Sequence, residues 1–183
     1  AGPAPVAEDC LETLTGGSTG TPRRILRQQS SWIASFAVNA RLFGLAPGQS
    51  VAVLGGLDHS LALYGAVEAL HLGAYLHLLA GLRPDRQAQA LAARRVGLLY
   101  ATPAQMRGLL AAGVDWPDLA QIVIGGARLT PDLRTALGQR CPARVTEFYG
   151  AAETSFIALS DETTPPDSVG RPYPGVEIRA DPE

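Results

Sequence analysis

Lysine is absent from this chain: all 15 basic residues among its 183 are arginine, so every cationic role falls to guanidinium. Cysteine is scarce. Cys10 and Cys141 have no metal or redox spacing, which excludes a disulfide framework and makes a reducing, cytoplasmic setting the expectation. Long apolar runs are missing, none reaching the roughly 18 residues of a membrane span. So is an excess of charge: the net value of -2 argues against a nucleic-acid footprint. The opening "AGPAPVAEDC" has neither the charged nor the apolar region of an intact signal peptide, and no initiator Met. A processed chain, or part of a longer protein, is the expectation.

What remains is an ordinary globular balance, 46% hydrophobic and 17% charged, enough for one sizeable core. Helical patterns at Ser30 to Phe43, 60–73, Pro84 to Arg95, Pro103 to Ala112 and Pro131 to Gln139 alternate with short apolar runs. Those runs lie at 50–56, 74–81, 96–102, 120–127, 143–153 and 155–160, with a last strand expected near Val176 to Ala180. Thr102-Pro103 and Thr130-Pro131 both read as an N-cap followed by proline at the first helical position. The alternation predicts an α/β fold, a mostly parallel sheet covered by helices on both faces. Three parts are expected: a lead-in over 1–13, an α/β unit over 14–164, and a Pro/Gly-rich extension over 165–183. Ligands of such sheets sit at the carboxyl ends of the strands, which singles out the loops 15–23, 55–60, 125–130 and 149–154.

The first of these is "TGGSTGTPR" (15–23). Its glycines let backbone N–H groups approach an anion, its hydroxyls add donors, and Arg23 adds a fixed cation. It reads as a polyphosphate cradle, though not the P-loop of NTPases, whose Gly-Lys-Ser/Thr ending is missing. The plainer reading is a flexible Gly/Ser/Thr surface loop.

Taken with the other loops, "LTGGSTGTPRRI" (14–25) resembles the phosphate-binding signature of the adenylate-forming, AMP-binding enzymes, and "HSLALYG" (59–65) places His and Gly as the acyl-CoA synthetases of that family do. "LDHSLALYGAVEALHLGAYLHL" (57–78), "IVIGGARL" (122–129), "EFYGAAETS" (147–155) and "SVGRPYPGVEIR" (168–179) resemble further motifs of that family in its own order. The resemblance implies ATP and Mg²⁺ as cofactors, a small carboxylate substrate, and CoA or an acyl carrier protein as thiol acceptor. It implies that Ser18, Thr19, Gly20 and Arg23 hold the β- and γ-phosphates, with Thr15 and Gly17 in the same cradle. Thr19, Arg23 and Glu153 would carry the chemistry. Gly125, Gly126 and Ala127 would wall the adenine and the acyl carboxylate; Tyr149, beside Gly150, would stack on adenine. Glu153 would hold Mg²⁺, and His59 would sit at the mouth of the acyl pocket.

The chain departs from the pattern in two respects. Arg23 and Ala152 stand where the family has Lys and a hydroxyl residue. The ribose-binding Asp motif and the catalytic-Lys domain of the family have no counterpart, so the resemblance implies a core that is incomplete or inactive as it stands. Two other readings stay open: a non-catalytic remnant that binds nucleotide or a partner, and an amino-acid adenylation domain in which Asp58 receives the amino group. Tyr149 as a strand-end aromatic, Glu153 as a solvated acid and His59 as a cap for the helix at Ser60 are the plain alternatives. His71 and His77 are read as structural.

Overall fold

A computed structural model describes residues 8–14, 23–165 and 167–179. The first strands form an antiparallel hairpin, β1 (Cys10–Leu14) against β2 (Arg24–Gln28). Helix α1 (Gln29–Phe43) follows at once. Then come β3 (Ser50–Val53), α2 (Ser60–His71), β4 (Tyr75–Leu78), α3 (Pro84–Ala93), β5 (Leu98–Ala101), α4 (Pro103–Leu110), β6 (Gln121–Ile124) and α5 (Pro131–Gly138). The chain ends in β7 (Arg144–Ala151), β8 (Ser155–Ser160) and β9 (Arg171–Pro172). No helix of the described residues is long and apolar enough to cross a membrane.

The larger sheet runs β4-β3-β5-β6-β7-β8-β9. Pairing is parallel from β4 through β7 and antiparallel at β8 and β9. The central strands are mostly apolar, with Ser50 and Gln121 at the starts of β3 and β6 as exceptions, because both of their faces are covered. Val51, Val53, Leu98, Tyr100 and Val123 face one way and pack with Trp32, Phe36, Ala62 and Tyr64 of α1 and α2. Ala52, Leu54, Leu99, Ala101, Ile122 and Ile124 face the other way, onto Leu91, Met106, Leu109, Leu133 and Leu137 of α3, α4 and α5. The expected α/β architecture is therefore the observed one.

The order of strands has a consequence for binding. From β3 the chain crosses to β4 on one side, then returns to β5 on the other. Successive crossovers thus run in opposite directions from β3. Sheets of this kind bind ligands outside the carboxyl ends of their strands near such a reversal, which here falls between β3 and β5.

Three local expectations change. The hairpin β1–β2 was not expected, since 1–13 reads as a lead-in and the polar pattern "RILRQ" carries little strand signal. Its pairing comes from the return of the chain after residue 22, and Arg24 reaches across it to Glu12 with two bonds of 2.6 and 2.5 Å. The strand expected near Val176 to Ala180 is absent over 176–179, while Ala180 lies outside the described residues. Pro174-Gly175 instead forms a tight turn, with Gly175 at φ 86° and Val176 N–H bonded to Tyr173 C=O at 2.8 Å. That turn ends the pairing at β9. Third, Thr102 caps α4 with a full capping box involving Gln105, but Thr130 makes no side-chain bond at α5.

Candidate active site

The hairpin is anchored at the carboxyl end of the sheet. Leu14 N–H donates to Asp58 C=O at 2.9 Å, and Leu14 bridges to His59 in parallel. Thr13 Oγ1 donates to the same carbonyl at 3.3 Å. The expected phosphate-loop residues Thr15, Gly17, Ser18, Thr19 and Gly20 lie outside the described residues. The loop's two anchors are described: Leu14 sits against Asp58 and His59, and Arg23 approaches Glu153, Nη2 to Oε1, at 3.7 Å.

Glu153 owes its position to a tight turn. Thr154 closes it twice, its N–H on Ala151 C=O and its Oγ1 accepting from Ala151 N–H, both at 3.1 Å. Ala152 and Glu153 are thereby set at the tip. A register shift in β7–β8 between Tyr149 and Gly150 precedes the turn; such bulges bend a strand and re-aim its side chains. Gly150 is required here, because a Cβ would collide with the Ser155 carbonyl.

Arg27 is a residue that sequence reasoning missed. Its Nη1 donates to Ala152 C=O at 3.1 Å, and its Nη2 lies 3.4 Å from Ser31 Oγ. Partial burial lowers its pKa while the Glu153 carboxylate works the other way. Its signal was faint, a second arginine three positions after Arg24 in a strand the pattern did not reveal.

Beside this corner lies a cavity of about 520 Å³, within the range of small-molecule sites. Gly126, Ala127, Tyr149 and Gly150 line it, together with Arg134, Glu147 and part of the 161–169 segment. The Tyr149 ring is 55% exposed, a placement that leaves an aromatic face available for stacking. Gly125 does not line the cavity. It backs the wall, where any side chain would strike the Phe148 ring.

Glu147 and Arg134 were also missed. Glu147 Oε1 accepts Leu129 N–H at 2.8 Å, which ties the Gly-Gly-Ala turn to β7. Arg134 stands 3.8 Å from Glu147 Oε2 and donates to Val145 C=O at 3.0 Å. The signal for Glu147 was the periodicity of β7, in which it shares a face with Tyr149; Arg134 lies on α5, where that periodicity says nothing of it.

His59 occupies the N-cap position of α2 but makes no side-chain cap bond, so the plain reading as a cap fails. Its ring is exposed and 4.0 Å from Asp58 Oδ2. It does not line the cavity. His77 bonds Ser50 Oγ at 2.9 Å, and His71 packs on Phe36; both belong to the scaffold. Among the described residues no group of three His, Cys, Asp or Glu could hold a metal ion. Glu153 is a single exposed carboxylate, which suits Mg²⁺ only where phosphate oxygens complete the shell.

A family profile described as AMP-binding enzyme matches residues 4–183. The chain is 33% identical over 170 residues to the uncharacterized acyl–CoA ligase YhfT of Bacillus subtilis (strain 168), covering 90% of this chain and 35% of that protein. It is 31% identical to the putative long chain fatty acid–CoA ligase VraA of Staphylococcus haemolyticus, covering 91% and 36%. The chain thus spans about a third of the length of these curated relatives. VinN in complex with L-aspartate superposes with a TM-score of 0.78 at 22% identity, over 90% of this chain and 43% of that one. The o-succinylbenzoate CoA synthetase MenE of Bacillus subtilis, with ATP and magnesium, superposes with a TM-score of 0.74 at 19% identity, over 88% and 35%. These two likenesses bear on the fold.

Proposed function

Because the chain belongs to the AMP-binding enzyme family, we propose that it is the nucleotide- and acyl-binding core of an ATP-dependent carboxylate–thiol ligase. In this reading residues 14–164 bind nucleotide and acyl group, and 165–183 extend that unit. A carboxylate oxygen attacks the α-phosphorus of ATP, the bond to pyrophosphate breaks, and an acyl-adenylate forms. A thiol sulfur, from CoA or a carrier protein, then takes the acyl group and AMP leaves.

One observation carries this reading above the others. The end of the Gly-rich loop meets the Ala152–Glu153 turn through Arg23, next to a cavity walled by Gly126, Ala127 and Tyr149. Tyr149 offers its ring to adenine. The residues Thr15, Gly17, Ser18, Thr19, Gly20 and Arg23 gather the phosphates, and Glu153 with phosphate oxygens would hold Mg²⁺, which supplies neutralising charge. The Arg23–Glu153 pair is exposed, 77% and 44% at the side chains, and pairs of this kind contribute about 0–1 kcal/mol. This pair by itself therefore opposes an exchange of Glu153 for phosphate only weakly.

The test is thermal unfolding with ATP and Mg²⁺ against inorganic tripolyphosphate. At about 100 times its dissociation constant, a ligand of the folded state adds roughly 2.7 kcal/mol, about 5–10 °C for a chain of this size. An equal shift with tripolyphosphate, or none with ATP, removes the nucleotide site from this chain. ATP–pyrophosphate exchange with carboxylic acids against amino acids then separates an acyl ligase from an amino-acid adenylating domain.

A further inference from the structure

Arg27 is the one side chain that links the strand after the Gly-rich loop to the main chain of the Ala152–Glu153 turn in the described residues. Three observations bear on its purpose. First, within the turn it bonds the Ala152 main-chain carbonyl, so it fixes the turn whatever residue stands at 152. Second, it approaches Ser31 Oγ of α1 as well, and Ser31 Oγ is itself held on Gln28 C=O at 2.8 Å. Its guanidinium is therefore seated by the scaffold, whereas Arg23 is 77% exposed. Third, it is half-buried and interacts electrostatically with Glu153. Two arginines of different exposure thus flank one carboxylate. A planar guanidinium with several donors can keep a carbonyl and a hydroxyl partner while its charge acts on a third group.

We propose that Arg27 is a positioning residue of the polyphosphate site, holding the Ala152–Glu153 turn in place while Arg23 changes partner from Glu153 to an incoming phosphate. The proposal rests on the reading of the Gly-rich loop as an ATP site. Arg27 touches neither nucleotide nor reacting atoms. It acts through the turn, and its effect belongs to the Mg²⁺-dependent part of ATP binding.

The experiment is calorimetric titration of the protein with ATP over a series of MgCl₂ concentrations, and with adenosine as a phosphate-free probe. Arg27→Met keeps the aliphatic stem, and Arg27→Lys keeps the charge without the fork. In Arg27→Met the half-saturating Mg²⁺ concentration rises about tenfold, the order expected for losing one charge-assisted bond, while adenosine affinity stays within about twofold of the parent. Arg27→Lys recovers part of the loss. An unchanged Mg²⁺ dependence in Arg27→Met overturns the proposal. So does an equal weakening of ATP and adenosine with a lowered melting temperature, which is a merely structural role. If Arg27→Met does not fold, Arg27→Lys decides: a raised Mg²⁺ requirement with intact adenosine binding supports positioning, and parental behaviour refutes it. A parent protein that binds no ATP fails the Gly-rich-loop reading itself, an outcome distinct from an ATP-binding parent matched by its Arg27 variants.

Discussion

At the residue scale, the most consequential side chain away from the site is Glu68, which is 0% exposed. Tyr100 OH donates to its Oε2, and Asn39 Nδ2 donates to its Oε1 at 2.8 Å. Those bonds favour the charged form, but burial outweighs them and pushes the carboxyl up to about 7. Between roughly pH 4.5 and 7 the folded protein keeps a proton that the unfolded chain has released, so stability falls as pH rises through that window. The slope is at most about 1.4 kcal/mol per pH unit. His77 acts with the opposite sign, since burial beside Arg94 lowers its pKa. Comparing Glu68→Gln with the parent cancels His77. In urea unfolding, the advantage of the parent over the variant shrinks between about pH 5 and 7.5; a constant difference means that Glu68 is ionised throughout. Sequence reading saw "SLALYGAVEALH" as an Ala/Leu helix and had no means of pairing Glu68 with Tyr100, 32 positions ahead in β5, or with Asn39, 29 positions back in α1. Glu153 and Tyr149 were legible because their motif is local. Arg27 and Glu147 were not, because what they hold is main chain from elsewhere.

At the element scale, the two Thr-Pro signals are identical in sequence and different in structure. Thr102 Oγ1 accepts Gln105 N–H at 3.3 Å, and Gln105 Oε1 accepts Thr102 N–H at 2.8 Å. Thr130 has neither bond. Thr102→Ala therefore costs roughly 1 kcal/mol and Thr130→Ala close to nothing, as measured by urea midpoints; equal losses would mean that Pro at the first helical position, not the cap bond, sets both helix starts. Helix and strand order were readable from periodicity because each helix buries one stripe and each central strand buries two faces. Strand ends were not, since a ladder stops where its partner stops. The hairpin escaped notice for a related reason: five polar-patterned residues become a strand only when another strand is brought beside them.

At the scale of the whole molecule, Tyr173 fastens the C-terminal segment to the first helix. Its hydroxyl donates to Asn39 Oδ1 at 2.8 Å, its ring stacks on Phe156 at 5.2 Å, and it is 6% exposed. Tyr173→Phe keeps the ring and leaves the Asn39 amide oxygen unpaired, a loss of about 1–3 kcal/mol. Equilibrium unfolding measures that loss, and a variant as stable as the parent would mean water replaces the hydroxyl. The same distinction runs through the protein. Sequence by itself determined the α/β class, the order of the central helices and strands, and four candidate loops, because those follow from local periodicity, turn residues and short motifs. Only the tertiary structure decided which loops meet. Arg23 reaches Glu153, Arg27 reaches Ala152, and Leu14 reaches Asp58 because the sheet order places remote strand ends side by side. That adjacency depends on burying both faces of the sheet at once, a condition no single segment can express.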